Sequence, residues 1–379
     1  MSMRNRAAVI LCLSLSAALA QQRPLDPRAS LKIDIPKDSP VTVVMADLGD
    51  SVVSARGSAM VIDLHSSLAL RNSGQRRVRG VTLLVTAQEV TAGGKASVAV
   101  PSLNVGAGET FAVRLDLRLL RPLFPAGPLV VVTLDGVLFD DLTFYGPDRL
   151  NSRRSMTVWE MEARRDRSHF KAVLAAQGEE GLRQGLLASL ARQADRPRVD
   201  VQLSRGGRAT NIDAERPVEF AFLRMPDSPI EPLGGVAQVA GNEARAASLE
   251  VRNSSNRAVR YFEIGWIIQD AQGREYQAGS VPASDPGLKL APGERSRVLQ
   301  EASLRFSSAP GRPLSVAGMT GFVSQVEFAD GSVWIPSRAA LRDPKLARLM
   351  APSPEEQRLT ELYRRKGLAV VVAELKKFL

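Results

Sequence analysis

Short runs with an apolar residue at every second position recur along most of the chain. Two clear examples are residues 111–117 and 262–268. Their apolar positions are Phe111, Val113, Leu115 and Leu117, then Phe262, Ile264, Trp266 and Ile268. A period of two is typical of β-strands that bury one face. Because turn signals such as Asp330-Gly331 separate the runs, the pattern predicts many short antiparallel strands packed as a β-sandwich.

The apolar spacing changes to three and four residues near residue 182 and again near the end of the chain. The positions are Leu182, Leu186, Leu187 and Leu190, then Leu368, Val371, Val372, Leu375 and Leu379. This spacing predicts amphipathic helices. Gly181 and Gly367 precede the two stripes, so each is expected to end an earlier short helix, around residues 170–176 and 355–366. Pro354 fits the first turn of the latter.

The sequence repeats itself at an offset of 181. Residues 67–79 align without gaps on residues 248–260, and eight of the thirteen positions are identical. Weaker matches on both sides keep their order while the offset rises slowly, as loop insertions would produce. The repeat predicts two domains of one fold, residues 28–195 and 205–379, joined near Ala194–Arg198. A fragment of residues 205–379 is therefore expected to fold alone.

Each copy is predicted to be an antiparallel sandwich followed by a C-terminal helical pair, giving a mainly β protein with helices. The pattern Leu249-x-Val251-Arg252-Asn253, followed by a long strand and Leu290-Ala291-Pro292-Gly293-Glu294, resembles FxLYD-type and related immunoglobulin-like domains of uncharacterised exported bacterial proteins. The resemblance covers about 90 residues of each copy. It implies two tandem immunoglobulin-like sandwiches, and it brings no catalytic residues with it.

The first twenty residues have the form of a secretory signal peptide. Arg4 and Arg6 precede a 14-residue apolar run that ends in Ala18-Leu19-Ala20, so cleavage is expected before Gln21. The alternative is an uncleaved N-terminal anchor. The single cysteine, Cys12, lies inside this segment, so the mature protein is expected to have no disulfide and no thiol nucleophile. No later run is long and apolar enough to predict a membrane span.

The composition excludes some classes of protein without naming a reaction. Apolar residues make up 44% and charged residues 24% of the 379 positions, which argues against a wholly disordered, collagen-like or multi-span membrane chain. The formal net charge is +10, with 41 arginines and 9 lysines. These charges are spread among acids, and aromatic residues do not accompany them, so nucleic acid is not an expected partner. The basic surplus leaves attraction to an anionic envelope polymer open.

Candidate catalytic and metal-binding motifs are weak. His65 and His169 are isolated and no cysteine accompanies them, so no metal site and no cofactor is predicted. Ser168-His169-Phe170-Lys171 matches S-x-x-K, but the partner motifs of that enzyme class are absent and Ser168 is better explained as a helix cap. Asp140-Asp141 and Asp330 are interpreted as hairpin turns and not as calcium loops, which need more oxygen ligands.

Four residues remain as weak binding candidates. Arg71 and Arg252 occupy the same position of the two copies, where a repeated arginine could hold an anion. Tyr261 has the opposite strand parity to Phe262 and is expected to face outward beside Arg260, as a contact pair. The alternative for Arg71 and Arg252 is that they only precede asparagines that end the strands. The alternative for Tyr261 is a lone surface aromatic residue.

The leading hypothesis is a non-catalytic exported binding or scaffold protein, periplasmic or secreted, whose partner is another protein or an envelope polymer. The alternatives are a hydrolase with carboxylates that have no local signature, and an arginine-mediated binder of an anionic envelope polymer. A carboxylate cluster in a deep cleft would favour the hydrolase.

Overall fold

The computed structural model describes residues 23–24, 30–89, 93–123, 127–195, 199–204, 214–283, 287–300, 302–308, 311–338 and 351–378. The predicted signal peptide, Gln21, the glycine pair at Gly206-Gly207 and Leu379 lie outside the described residues. So do residues 28 and 205, where the two predicted copies begin. The strand predictions and most of the helix predictions fall inside the described segments.

Ten strands precede residue 152 in the described part of the chain. They are β1 (Arg23–Pro24), β2 (Leu31–Asp34), β3 (Val41–Asp47), β4 (Val52–Arg56), β5 (Ala59–Asn72), β6 (Val78–Thr86), β7 (Lys95–Val100), β8 (Thr110–Pro122), β9 (Val130–Phe139) and β10 (Phe144–Tyr145). Strand β5 pairs along almost its whole length with β8, and its other neighbours β3 and β4 cover successive stretches of it. A second sheet has the order β10-β9-β6-β7, with β2 parallel to β9.

A long helix separates these strands from a second set. The helix is α1 (Ser152–Asp195), and the strands are β11 (Val199–Ser204), β12 (Arg216–Phe222), β13 (Ile230–Ala240), β14 (Glu243–Asn253), β15 (Val259–Gln269), β16 (Glu275–Pro282), β17 (Arg295–Gln300), β18 (Ser303–Ser308), β19 (Arg312–Pro313), β20 (Gly318–Phe328) and β21 (Val333–Trp334). The chain continues with helices α2 (Pro354–Lys366) and α3 (Leu368–Lys376). The protein is mainly β, as the alternating pattern predicted.

Strand β12 links two parts of the second sheet system. Residues 216–219 pair with β13, whereas residues 220–222 pair in parallel with β20. The alternating residues of β15 enter the core between them, and Phe262, Ile264, Trp266 and Ile268 are all nearly inaccessible. The alternation along β8 is likewise confirmed, because Val113 and Leu115 are buried and Arg114 is exposed.

The two strand sets contain a matching series of contacts. The antiparallel pairs β3–β5, β5–β8 and β9–β10 have counterparts in β13–β14, β14–β17 and β20–β21. Backbone hydrogen bonds match as well. They join Asn72 to Glu109 and Asn253 to Glu294, Val78 to Val105 and Val259 to Leu290, and Phe139 to Thr143 and Phe328 to Ser332. Each hydrogen bond of one set thus lies at the repeat-equivalent position of the other.

The repeated asparagines end their strands through their side chains. Asn72 and Asn253 are both completely buried, and neither has a positive φ. The Asn253 amide donates to the carbonyl oxygens of Arg257, Leu290 and Ala291 at 2.7–3.1 Å. An asparagine fits this position because the two N–H groups of its amide donate to carbonyl oxygens of two separate segments, Arg257 on one side and Leu290 and Ala291 on the other.

In both strand sets an arginine contacts the turn that follows the last long strand, β9 in the first set and β20 in the second. Its guanidinium stacks on a phenylalanine, with 3.8 Å from the guanidinium carbon to the ring centroid in each case, and pairs with an aspartate of the following turn. The sets are Arg76, Phe139 and Asp141, and Arg257, Phe328 and Asp330. This contact accounts for the aspartates that the sequence offered as turn or calcium residues.

Helix α1 begins earlier than the apolar stripe predicted. It starts at Ser152, where the Asp148 carboxylate accepts a hydrogen bond from the Arg153 N–H at 2.9 Å and so satisfies one of the free donors of the first turn. The break lies at Gly178, whose φ of 68° only glycine adopts readily, and not at the predicted Gly181. Gly367 does end α2, as predicted, with a φ of 82°.

The closing helices pack on α1. One apolar cluster contains Phe170, Leu182 and Leu186 of α1 together with Leu359 of α2 and Val371 and Leu375 of α3, each at most 1% exposed. The C-terminal pair therefore packs on the helix that precedes the second strand set. That each copy is closed by helices of its own stays a prediction. Polar contacts follow the same route, because the Ser353 hydroxyl caps α2 and also donates to the buried Asp166 carboxylate at 2.6 Å.

The chain divides into two compact units. The first is Met1–Gln75, Thr82–Ala99 and Ala107–Asp135, and the second is Arg76–Val81, Val100–Gly106 and Gly136–Leu379. The three helices of the described segments and the second strand set belong to the second unit. The division thus lies elsewhere than the predicted linker at Ala194–Arg198. None of the helices in the described part of the chain is long and apolar enough to cross a membrane.

Candidate functional site

A cleft with a volume of about 1040 Å³ lies in the second compact unit. Its walls come from the first turn of α1, the start of β15, the end of β20, β11 and the loop at residues 287–294. Two of the strand residues that line it, Tyr261 and Glu263, alternate with the core residues Phe262 and Ile264. The cleft therefore lies on the face of the sheet opposite the sandwich core.

An arginine of α1 covers the floor of the cleft. The Nε of Arg154 donates to Oε2 of Glu327 at 2.6 Å, and its guanidinium carbon lies 3.5 Å from the centroid of the Tyr261 ring. Arg260 pairs with the other oxygen of the same carboxylate. The register of β15 and β20 places Tyr261 directly opposite Glu327, which brings the three side chains together. Since Glu327 is almost fully buried, its two guanidinium partners are needed to offset the desolvation of its charge.

A second carboxyl group in the cleft has a different environment. The Tyr261 hydroxyl donates to Oε1 of Glu263 at 2.5 Å. Burial raises the pKa of the Glu263 carboxyl, although the hydrogen bond from Tyr261 opposes this. Burial, followed by the nearby Glu263 charge, also raises the pKa of the Tyr261 hydroxyl. Glu263 and Glu327 thus share one face of the sheet, but only Glu327 is paired with two cations.

The rim carries two cations without a carboxylate partner. Within the described segments, the side chains of Arg153 and Lys289 make no ion pair. The Arg153 guanidinium lies against Gly331, where a Cβ would come within 2.0 Å of it. Apolar surface adjoins these cations, including Leu203, which is 43% exposed, and the partly buried Leu288. The cleft therefore offers cationic donors and apolar surface together, which suits a partner with acidic and apolar groups.

The four residues predicted from the sequence do not form one site. Arg260 and Tyr261 both line the cleft. Arg252 lies on β14 and is paired with Glu231 on the neighbouring strand, while Arg71 is an exposed residue of β5 in the first compact unit. The expectation that Tyr261 is exposed is wrong. The Tyr261 side chain does point to the opposite face of the strand from Phe262, but Arg154 covers it and only 9% of it is exposed.

Sequence reasoning missed Arg153, Arg154, Glu263, Lys289 and Glu327. Glu263 has the same strand parity as Tyr261, so its place beside the tyrosine could have been found from the sequence. The others come from a helix start, a loop and a strand that are distant in sequence. No local pattern links them, because only the strand register and the position of α1 bring them to one cleft.

The weak catalytic motifs have structural partners. Lys171 donates to the carbonyl oxygen of Phe378 at 2.6 Å, and the Ser168 hydroxyl is exposed on α1. His65 lies within β5 and contacts Asp116, with 3.3 Å between Nδ1 and Oδ1. Across the described ranges, no group of three or more histidine, cysteine, aspartate or glutamate residues could hold a metal ion.

Comparison with known proteins gives no family. No family model and no curated protein matches the chain. Among solved structures, it is 10% identical to the C-terminal globular domain of an oligosaccharyltransferase from Pyrococcus abyssi, covering 79% of this chain and 48% of that one at a TM-score of 0.15. A β-glucosidase from Kluyveromyces marxianus is 9% identical, covering 70% and 45%, with a TM-score of 0.14.

A transglutaminase from red sea bream is similar at the same low level. It is 10% identical, with 76% of this chain and 31% of that chain covered and a TM-score of 0.12. The chain thus spans less than half of each of these three structures. With TM-scores this low, the matches carry no inference about fold or function.

Proposed function

We propose that the protein is a non-catalytic, exported binding or scaffold protein that holds its partner in the cleft beside Arg154 and Tyr261. The observation that carries this proposal is the pair of rim cations Arg153 and Lys289, which form no ion pair with any described residue and lie next to the exposed apolar surface of Leu203. The carboxylates and the arginines of the floor are already engaged with one another. A protein segment or an envelope polymer with acidic and apolar groups has the chemistry that this surface accepts.

We also propose that the chain consists of two tandem immunoglobulin-like sandwiches. The support is the series of backbone hydrogen bonds that recurs at repeat-equivalent positions, and the arginine, phenylalanine and aspartate contact that recurs with the same 3.8 Å stacking distance. Export remains a proposal that depends on the N-terminal sequence, with its charged start, apolar run and Ala18-Leu19-Ala20 ending.

The binding proposal is tested with two matched leucine variants. Leu203→Glu places a negative charge on the apolar wall of the cleft, and Leu299→Glu makes the same change at a leucine of β17 that is 57% exposed and does not line the cleft. The mature protein is immobilised and exposed to an envelope extract, and the retained components are identified. We expect the retained component to be lost with Leu203→Glu and with Lys289→Glu, and kept with Leu299→Glu. Equal retention by all variants would contradict a role for the cleft.

A hydrolase is the second candidate, and the pair Glu263 and Glu327 favours it. A carboxyl whose pKa is raised, on the same face as a carboxylate paired with two cations, is an arrangement that acid–base catalysis uses. Against it, each carboxylate already has its own partners in the cleft floor. Turnover of a chromogenic glycoside or ester that Glu263→Gln abolishes, without loss of thermal stability, would establish the hydrolase and overturn the binding proposal.

Binding of an anionic envelope polymer by arginines in general has less support. Arg252 and Arg260 are both engaged by glutamates. Retention on heparin that declines steeply with salt and is unaffected by Leu203→Glu would favour this alternative over the cleft.

A further inference from the structure

A second cavity, of about 300 Å³, lies against the middle of α1 in the second compact unit. Four cationic side chains and two acidic ones line it, together with Ser168 and Phe378. The charged residues are Arg79, Arg164, Arg167, Lys171, Asp140 and Glu160. None of them contributes to the cleft described above. The cavity is therefore a separate feature whose lining carries two more positive than negative charges.

Three of the arginines share a single carboxylate oxygen. Oε1 of Glu160 lies 2.8 Å from Nε of Arg164, 3.0 Å from Nη2 of Arg167 and 3.8 Å from Nε of Arg79. The Glu160 side chain is only 2% exposed. Oε1 of Glu355 also lies 3.4 Å from Nη1 of Arg167, and Asp140 lines the same cavity. The three guanidiniums and Lys171 therefore outnumber the three carboxylates beside them, Glu160, Asp140 and Glu355. Burial lowers the pKa of the Arg79 guanidinium, and the neighbouring Arg167 and Arg164 add to this although Glu160 opposes it.

Hydrogen-bond donors and a hydrogen-bond acceptor beside this cavity are both left without a hydrogen bond. Among the described residues, Nε of Arg79, Nη1 of Arg167 and Oε2 of Glu160 are buried and have no hydrogen-bond partner. The Arg167 side chain is 95% buried, since its exposed fraction is 5%. Nη1 of Arg167 has Oε1 of Glu355 at 3.4 Å as an ion-pair partner, but without a hydrogen bond. Buried polar groups are normally hydrogen-bonded, so the three atoms together indicate a missing hydrogen-bonding partner. That partner must accept from guanidiniums and donate to a carboxylate.

We propose that this cavity binds an oxyanion that retains a proton at neutral pH, of which hydrogen phosphate is the simplest. Its unprotonated oxygens accept from Arg79 and Arg167, while its P–OH group donates to Oε2 of Glu160. The Ser168 hydroxyl and the Lys171 ammonium lie on the same wall as further donors. Sulfate has the same shape but keeps no proton at neutral pH, so it leaves Glu160 unsatisfied and adds repulsion between two anions.

The P–OH proton that donates to Glu160 also distinguishes inorganic phosphate from a phosphate monoester as a ligand. A monoester loses its last proton with a pKa of about 6, so near neutral pH it has no donor for Glu160. Inorganic phosphate still keeps one proton there. The site should therefore prefer inorganic phosphate near neutral pH and accept glycerol phosphate better under mildly acidic conditions.

The test is calorimetric titration of the full chain with phosphate, sulfate and glycerol phosphate at constant ionic strength. We expect phosphate to bind with sulfate weaker by about tenfold or more. Equal affinity for both anions would overturn the requirement for a proton. No binding of either anion would show that water alone satisfies the three atoms, which also overturns the proposal.

Variants place the binding at this cavity. Lys171→Gln and Ser168→Ala should each weaken phosphate binding several-fold. Lys95→Gln removes the same charge from an exposed residue that pairs with Glu89 and should leave phosphate binding unchanged. Glu160→Gln should reduce the preference for phosphate over sulfate, because the amide supplies a donor. If that variant fails to fold, the lysine pair still decides. Equal phosphate affinity of Lys171→Gln and Lys95→Gln would place the anion elsewhere and overturn the site.

Discussion

Two adjacent leucines of α1 allow a direct test of how the C-terminal helices are held. Leu186 is fully buried in the cluster with Leu359, Val371 and Leu375, whereas Leu187 is 49% exposed. Leu186→Ala removes buried methyl groups and leaves a cavity, so it should lower the free energy of unfolding by about 2–5 kcal/mol. Leu187→Ala makes the same chemical change at the neighbouring position and should alter it by about 0.5 kcal/mol or less.

Chemical and thermal denaturation followed by circular dichroism measure the free energy of unfolding and the midpoint temperature of both variants. At about 2–4 °C per kcal/mol for a unit of this size, the midpoint temperatures should differ clearly. Hydrogen exchange adds the location: the amides of α2 and α3 should lose protection first in Leu186→Ala. Equal stabilities for the two variants would refute the packing of the C-terminal helices on α1. So would equal protection of α3 in a fragment of residues 205–379, which lacks α1, and in the full chain.

Three further outcomes follow from individual side chains. The hydrogen bonds of its turn, together with Arg257, lower the pKa of Asp330 to about 2. The stability that the Asp330 carboxylate contributes is therefore present above the ordinary carboxyl pKa and is lost as the pH falls toward 2. Asp330→Asn should flatten the dependence of acid unfolding on pH in that range. Burial raises the pKa of Glu162 to about 7. The free energy of unfolding should therefore fall as the pH rises from about 4.5 to 7. Glu162→Gln should remove this slope and raise the free energy of unfolding above pH 7 by at most about 3 kcal/mol. Tyr261→Phe leaves Glu263 without its donor and should cost about 1–3 kcal/mol, whereas an unchanged melting temperature would show that the hydroxyl does not matter for folding.

The strands and their turns could be predicted because they depend on neighbouring residues. Phe262, Ile264 and Trp266 alternate with polar or small positions, and this period is enough to assign one face to the core. Gly367 could be predicted as the end of a helix for the same reason, because a positive φ is a local property of glycine.

Helix α1 could be predicted only in part, because its middle buries charge. Glu160, Asp166 and Arg167 are each at most 4% exposed, so they interrupt the apolar stripe where the helix is in fact best covered. Burial raises the pKa of Asp166, but hydrogen bonds from Arg165 and Ser353 outweigh it and leave the pKa lowered. A sequence pattern equates charge with exposure, and partners that are distant in sequence reverse that relation.

The sequence by itself determined the local features of the protein: strand alternation, the residues that end strands and helices, and the repeat at an offset of 181. Only the tertiary structure decided what covers each face. Tyr261 had the correct parity, yet Arg154 of α1 buries it, and the register of β15 on β20 sets Glu327 opposite it. The physical reason is that parity is fixed by the chain itself, whereas burial and charge pairing depend on contacts between residues that are far apart in sequence.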